Sequence, residues 1–307
     1  MDPALALRSD WLEAFIVFAE HANFTRAAKA LHLSQPALHV QIAKLSEALG
    51  VPLYVRRGRL LELTREGTRL LAFARETRER SSEFVSHLSG DGSDEPVVLC
   101  AGEGAYLYLL GDAVREFSKR HTAPLRLLTR ERVGTLDAIR SGEAHLGVAV
   151  VDGVPDDIEV QDLCEVEQVV VVPQRHPLAI KRAVHVKNLA GARLILPPEG
   201  RPHRAMLSRA FQAANVPWHV AAEASGWELM VHFAALGIGL TVVNDFCRIP
   251  KGMVGRPVRD LPRVRYSLLS RRNVRPRERV SQLRALIVER VRSVVGRSPR
   301  PPAQSLG

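Results

Sequence analysis

Gln35, His39, Gln41 and Lys44 recur along one stretch at spacings that put them on the outward face of a helix. A glutamine carboxamide offers a donor beside an acceptor, the pair that matches adenine N6 and N7 in a major groove. A lysine ammonium suits a phosphate oxygen, which fixes register without reading sequence. This is recognition chemistry rather than bond-making chemistry. The chain contains no GxSxG elbow, no GxGxxG after a strand, no phosphate-binding Walker loop and no HExxH. Its histidines are scattered, and His121, His145 and His185 belong to no catalytic pattern. The 3 cysteines, Cys100, Cys164 and Cys247, are far apart, lack metal-ligand spacing and read as small buried thiols. No catalytic residue, metal or cofactor is therefore expected.

Two short helical patterns must position that face. In the first, Phe24, Ala27, Ala28 and Leu31 recur at helical spacing behind Asn23, a natural N-cap. In the second, Leu38, Ile42 and Leu45 form the inner face, Ser34 is the N-cap, and Pro36 stands in the first turn where no N–H is needed. Ala27 and Ala28 are small enough for the helices to cross closely, as in a helix-turn-helix. Paired amphipathic helices also occur in proteins that never touch DNA, so the flanks matter. Upstream, Trp11, Leu12, Phe15, Phe18 and Ala19 form the stripe of a supporting helix. Downstream, Leu53–Val55 and Leu60–Leu63 read as two strands joined by Arg56-Arg57-Gly58-Arg59, a wing with a basic tip.

FTRAAKALHLSQPAL from Phe24, ALGVPLYVR from Ala48 and ELTREG from Glu62 together resemble the LysR-type transcriptional regulators. The resemblance continues through SGEAHLGVAV from Ser141 and AALGIGLTVVN from Ala234. It implies an N-terminal winged helix-turn-helix, a long dimerising linker helix, and an effector-binding domain like the periplasmic binding proteins. The partners implied are double-stranded promoter DNA, a small-molecule effector, further copies of the chain as a homodimer or homotetramer, and RNA polymerase. Carried over residue by residue, Ser34, Gln35 and Pro36 occupy the SQP positions that face DNA. His39 stands where serine is common and Val40 where some members are polar, so Val40 is free to meet a thymine methyl. Thr25, Lys44, Arg56 and Arg59 become phosphate or minor-groove contacts.

At 307 residues the chain has room for a small domain and a larger one. Its 46% hydrophobic content is that of a globular protein, and neither a secretory leader pattern nor a bilayer-length apolar run is visible. A cytoplasmic location is expected. The net charge of +10 is misleading as a sign of DNA binding: residues 1–90 hold 12 basic against 10 acidic groups, whereas 251–300 hold 15 against 3. That excess reads as a solvated face of the last helix. The division predicted is a DNA-binding domain over 1–63, a linker helix over 64–89, a flexible hinge over 90–96, an effector-binding domain over 97–297 and a disordered tail over 298–307. Thr64 caps the linker helix, whose stripe of Leu70, Ala74, Thr77, Phe84 and Leu88 needs a partner helix.

Beyond the hinge, strand and helix patterns alternate, which predicts an α/β fold with parallel sheets in two lobes and a ligand cleft between them. The cleft is expected where strands end and helices begin: Glu103, Gly104, Arg132, Glu199, Gly200, Arg201, Ser225 and Gly226. Arg132 and Arg201, one per lobe, suit an anionic effector. The competing reading makes them rim arginines paired with Glu131 or Glu199, and Glu103 argues against a simple anion. Family members often carry a hydroxyl residue where Gly104 stands and proline where Asn244 stands. Two other classes compete: an enzyme whose α/β domain turns over a small molecule, and a plain solute-binding protein. An enzyme predicts turnover; a regulator predicts salt-sensitive, sequence-selective DNA binding without it.

Overall fold

The computed structural model describes residues 7–58, 60–89, 95–121, 124–151, 153 and 155–295. Three helices open the chain: α1 (Ser9–His21), α2 (Phe24–Ala30) and α3 (Gln35–Leu49). Both expected caps form. The Asn23 side chain accepts from the Arg26 N–H at 3.0 Å, and Ser34 Oγ accepts from the Ala37 N–H at 3.3 Å. Phe15, Phe18, Ala27, Leu38, Ile42 and Leu45 close over one another in the first core. Ala27 is fully buried at the crossing of α2 and α3, where a larger side chain would push the helices apart. Gly50 ends α3 in a left-handed conformation, φ 68°.

The wing is β1 (Tyr54–Arg57) paired antiparallel with β2 (Leu60–Leu63). β2 has the predicted bounds, whereas β1 starts one residue later and runs two residues further than the sequence predicts. Leu53 is buried in the core, whereas Arg56 and Arg57 are strand residues facing Leu61 and Leu60. Gly58, with φ +62°, makes the turn, and Arg59 lies outside the described residues. In the ELTREG stretch, Gly67 is required, because a Cβ there would overlap the Leu53 carbonyl.

The linker helix α4 (Arg65–Ser89) starts where Thr64 Oγ1 accepts from the Gly67 N–H at 2.9 Å. Its first turns belong to the N-terminal core through Leu70, Leu71 and Ala74. Further along, Phe84 and Leu88 are 64% and 73% exposed.

Two five-stranded sheets follow. The first has the order β4-β3-β5-β12-β6, with β3 (Val97–Ala101), β4 (Leu125–Thr129), β5 (Leu146–Val150), β6 (Ile158–Val166) and β12 (Val264–Arg271). The second has the order β11-β7-β10-β8-β9, with β7 (Gln168–Pro173), β8 (Arg193–Leu196), β9 (His219–Glu223), β10 (Leu240–Asn244) and β11 (Met253–Pro257). The first lobe also holds α5 (Glu103–Ala105), a π-helical turn (Tyr106–Leu110), α6 (Gly111–Arg120), α7 (Arg132–Arg140) and the closing helix α10 (Glu278–Val295). The second holds α8 (Pro202–Ala213) and α9 (Trp227–Ala235). The sheets are mixed, not parallel. Strand β12 runs antiparallel to both β5 and β6, and β7 antiparallel to both β10 and β11. The chain crosses between lobes through β6 and β7 and returns into β12, so each sheet receives strands of both directions. Strands β6, β11 and β12 carry no clean alternation, and a register shift between Tyr266 and Ser267 breaks the pattern of β12.

The N-terminal unit docks on the first lobe through arginines. Buried Arg75 donates to the Ser141 carbonyl at 3.1 Å and to Glu20 at 3.3 Å. Arg271 donates to the Ala72 carbonyl at 3.1 Å, and Arg277 reaches Glu79 of α4 at 3.9 Å. The basic C-terminal region is therefore not a merely solvated face; part of it binds the linker helix. The tail 298–307 and the hinge core 90–94 lie outside the described residues.

Phe84 is too exposed to serve the fold of one subunit, so a polar replacement should act on association alone. Phe84→Asp is expected to weaken self-association at least tenfold with unchanged circular dichroism. Sedimentation equilibrium showing wild-type association would remove α4 from the subunit interface.

Candidate functional site

The outward face of α3 presents Gln35, Pro36, His39, Val40, Ala43 and Lys44, all exposed. Gln41, expected beside them, is half-buried with its Oε1 enclosed, because it flanks the inner row of Leu38, Ile42 and Leu45. Ala43, seven residues after Pro36 and so on the same face, takes the outward place; helical spacing alone could have selected it. Val40 is 50% exposed, a methyl-bearing surface amid polar neighbours.

Thr25 differs most from expectation. Its hydroxyl donates to Gln35 Oε1 at 3.0 Å across the α2–α3 junction. That bond uses the one hydroxyl proton of Thr25 and ties its side chain to Gln35. Ser34 accepts at the α3 N-terminus, and its own hydroxyl proton can still be donated. The His39 ring lies 5.0 Å from Phe24, which steadies it over the core. Arg56 folds its Nε onto the Gly58 carbonyl at 3.0 Å, bracing the wing turn from within. Lys44 stands exposed at the edge of the helix face.

In the two-lobed part, the structure brings Glu103, Gly104 and Gly226 together around a residue the sequence reading passed over, Trp227. A Cβ on Gly104 would run into the Trp227 indole. The hydroxyl residue that family members often carry where Gly104 stands would meet this ring, which reaches over from the opposite lobe. Gly226, with φ +91°, makes the sharp turn that launches α9, and the Glu103 carboxylate stands beside it. Arg201 is ion-paired with Glu131 across the cleft, which is the rim reading rather than the anion-binding one. Arg132 is half-buried at the first position of α7, next to Glu131. Glu199, Gly200 and Ser225 are exposed on the second-lobe turns, and nothing crowds Gly200, whose φ is +81°. Tyr108 also spans the lobes, its hydroxyl donating to Glu228 at 3.3 Å. Asn244 is buried and donates to the Tyr266 hydroxyl at 3.0 Å, pinning β10 to β12.

Trp227 is held from behind by His203, whose ring meets the indole edge-on at 4.7 Å. His203 Nε2 lies 2.9 Å from the Val242 carbonyl and donates to it. Burial pushes its pKa from the usual 6.5 down to about 4, against the opposing pull of that carbonyl. Only Trp227 left a sequence signal, lying one residue past the selected Ser225-Gly226 turn. Tyr108 and His203 become site residues through tertiary contact.

A helical reading head with a wing, joined by one helix to a receptor of two α/β lobes, defines a ligand-controlled DNA-binding protein. The comparisons agree. Residues 9–68 match the bacterial regulatory helix-turn-helix family of LysR proteins, and residues 90–292 match the LysR substrate binding domain. The transcriptional regulator CatR of Pseudomonas putida is 30% identical over 237 residues, covering 76% of this chain and 81% of CatR. The transcriptional activator IlvY of Salmonella typhimurium is 28% identical, covering 76% of this chain and 81% of IlvY. Among solved structures, a full-length OxyR variant from Pseudomonas aeruginosa superposes with a TM-score of 0.68 at 22% identity, covering 97% of this chain and 99% of that one. Full-length BenM gives 0.56 at 20% identity, covering 97% of this chain and 100% of BenM. The chain belongs to the LysR family of transcriptional regulators. Its matched domains are those of a DNA-binding transcriptional regulator that carries a substrate-binding domain. Among the described residues no helix is long and apolar enough to cross a membrane.

The His203 site makes stability depend on pH with a definite sign. Between pH 6.5 and 4 the unfolded chain binds the proton more readily than the folded one. The neutral ring therefore contributes stability that is complete above pH 6.5 and is lost as pH falls towards 4, at most about 3 kcal/mol. Urea unfolding of wild type and His203→Gln should show a shallower acid slope in the variant. Equal slopes would mean that His203 ionises freely in the folded protein.

Proposed function

We propose that two copies joined along α4 set their α3 helices into successive major grooves of promoter DNA. Gln35 and Val40 meet base edges, with Pro36 and His39 shaping the approach. Ser34 and Lys44, with Arg56 and Arg59 of the wing, hold the phosphate backbone or minor groove. Thr25 acts through Gln35. The observation that carries this reading is the Thr25–Gln35 bond, which fixes an exposed carboxamide at the start of α3.

The effector lies between the lobes, against Glu103, Gly104, Arg132, Glu199, Gly200, Arg201, Ser225 and Gly226, with Trp227 as the floor. Arg201 already has Glu131, and the exposed Glu103 carboxylate stands beside Gly226 with no ion pair among the described residues. The ligand these favour has an apolar face for the indole and a hydroxyl or amino group for Glu103, rather than a bare anion. Its binding changes the lobe angle, and through α4 the spacing and bending of bound DNA. The functional division is 1–63 for DNA, 64–89 for dimerisation, 90–96 as hinge and 97–297 for the effector. The assembly is a homodimer or homotetramer that acts in the cytoplasm and contacts RNA polymerase at the promoter.

Genomic fragments captured by the purified protein at two salt concentrations test this. A two-fold symmetric motif that persists at higher salt is expected. Uniform capture that vanishes with salt would refute sequence reading by α3. In the same selection Gln35→Ala should lose about 1–3 kcal/mol of discrimination at one base pair of each half-site. Thr25→Val should lose about 1 kcal/mol or less at that same pair, since it removes one exposed hydrogen bond. Loss spread evenly over the motif would instead make Thr25 a backbone contact.

A further inference from the structure

Away from both the DNA face and the inter-lobe cleft, a cavity of about 60 Å³ lies where α4, β6, β12 and the start of α10 meet. Five guanidinium groups line it, those of Arg80, Arg271, Arg275, Arg277 and Arg284, against the carboxylates of Glu76, Glu79 and Glu159. The pairing is incomplete. Arg80 and Arg271 share Glu76 at 2.7 and 3.7 Å, Arg284 takes Glu159 at 3.0 Å, and Arg277 reaches Glu79 at 3.9 Å and Glu95 at 3.3 Å. Arg275 has no ion partner among the described residues, so cations exceed anions even with Glu95 counted. The Nε atoms of Arg277 and Arg284 are enclosed without a hydrogen-bond partner among the described residues. Burial, with Arg75 and Arg80 nearby, pushes the Arg271 pKa below the usual guanidinium value despite Glu76 and Glu79.

Five guanidinium groups against four carboxylates, with the enclosed Nε donors of Arg277 and Arg284 unpartnered and the surplus cation at exposed Arg275, favour an anion, because arginine forks match oxyanion geometry. The void is far smaller than pockets that hold drug-sized ligands, roughly 300 Å³ and more, and holds about two waters' worth of volume. We propose that this cavity is a second ligand site that takes one compact oxyanion, of the phosphate or sulfate kind, and thereby clamps α4 to the first lobe. The site has α4 on one wall and α10 on the other, so its occupancy stiffens the junction between DNA head and effector domain.

Calorimetric titration of inorganic phosphate into the full-length protein, at ionic strength held constant with chloride, tests this. Saturable binding of one phosphate per chain is expected, together with a rise in thermal midpoint that chloride does not reproduce. Arg275→Gln, at an exposed and unpaired position, should weaken binding at least tenfold with unchanged folding. Glu159→Gln removes a negative wall charge and should tighten it severalfold. Arg201→Gln, in the inter-lobe cleft, should leave it unchanged. Absence of saturable binding, or equal affinity in wild type and both cavity variants, would overturn the proposal. Loss of binding in Arg201→Gln alone would place the anion between the lobes and overturn it equally.

Discussion

One helix belongs to the core of the DNA head and is hydrogen-bonded to the first lobe, and the rest of the molecule is arranged around that constraint. Leu70, Leu71 and Ala74 commit the start of α4 to the DNA head. Arg75, one residue on, is buried and turns its guanidinium to Ser141 of the first lobe and Glu20 of α1. A buried guanidinium must keep its partners, since leaving it unpaired costs several kcal/mol. Apolar surfaces slide over one another with little change in energy, whereas these hydrogen bonds have direction. Rotation of the head against the lobe therefore breaks Arg75–Ser141 and Arg271–Ala72 together, which makes the junction resist small displacements.

The cleft is built under a different constraint, close approach of the lobes. Gly104 and Gly226 carry no side chain where the lobes meet, and Trp227 fills the space that results. Tyr108–Glu228 and Arg201–Glu131 then tie the lobes from either side of the indole. A ligand entering here must take over contacts that the lobes already make with each other. Its differential affinity for the open and closed arrangements sets how far it can shift them.

The DNA head was legible in the sequence because its interactions are local. Asn23, Ser34 and Thr64 cap helices within three residues of themselves, and the rows of α2 and α3 follow one helical period. The errors there come from contacts between elements. Thr25 meets Gln35 ten residues away, and the first wing strand shifts along the chain as Leu53 is drawn into the core. In the lobes, strands flanked by helices could be read, but β6, β11 and β12 could not, since their pairing partners are distant and their burial does not alternate. Selecting strand-to-helix turns found Glu103, Gly104 and Gly226, yet the same rule cannot show that Trp227 covers Gly104 or that His203 supports it. Those depend on how two lobes with separate cores come together.

Charge placement joins these points. The head is nearly neutral by count, so its attraction to DNA rests on a few side chains at α3 and the wing rather than on a broad basic surface. The cationic excess lies at 251–300, where Arg271 and Arg277 answer Glu76 and Glu79 and bind the linker helix to the lobe, while Arg284 answers Glu159 within the lobe. Exposed pairs contribute little and are screened by salt, but these sit in partly buried settings where screening is weak. Salt should thus loosen the head from DNA well before it loosens the head from its own effector domain. A regulator arranged this way can leave its operator and keep the subunit geometry that its effector controls.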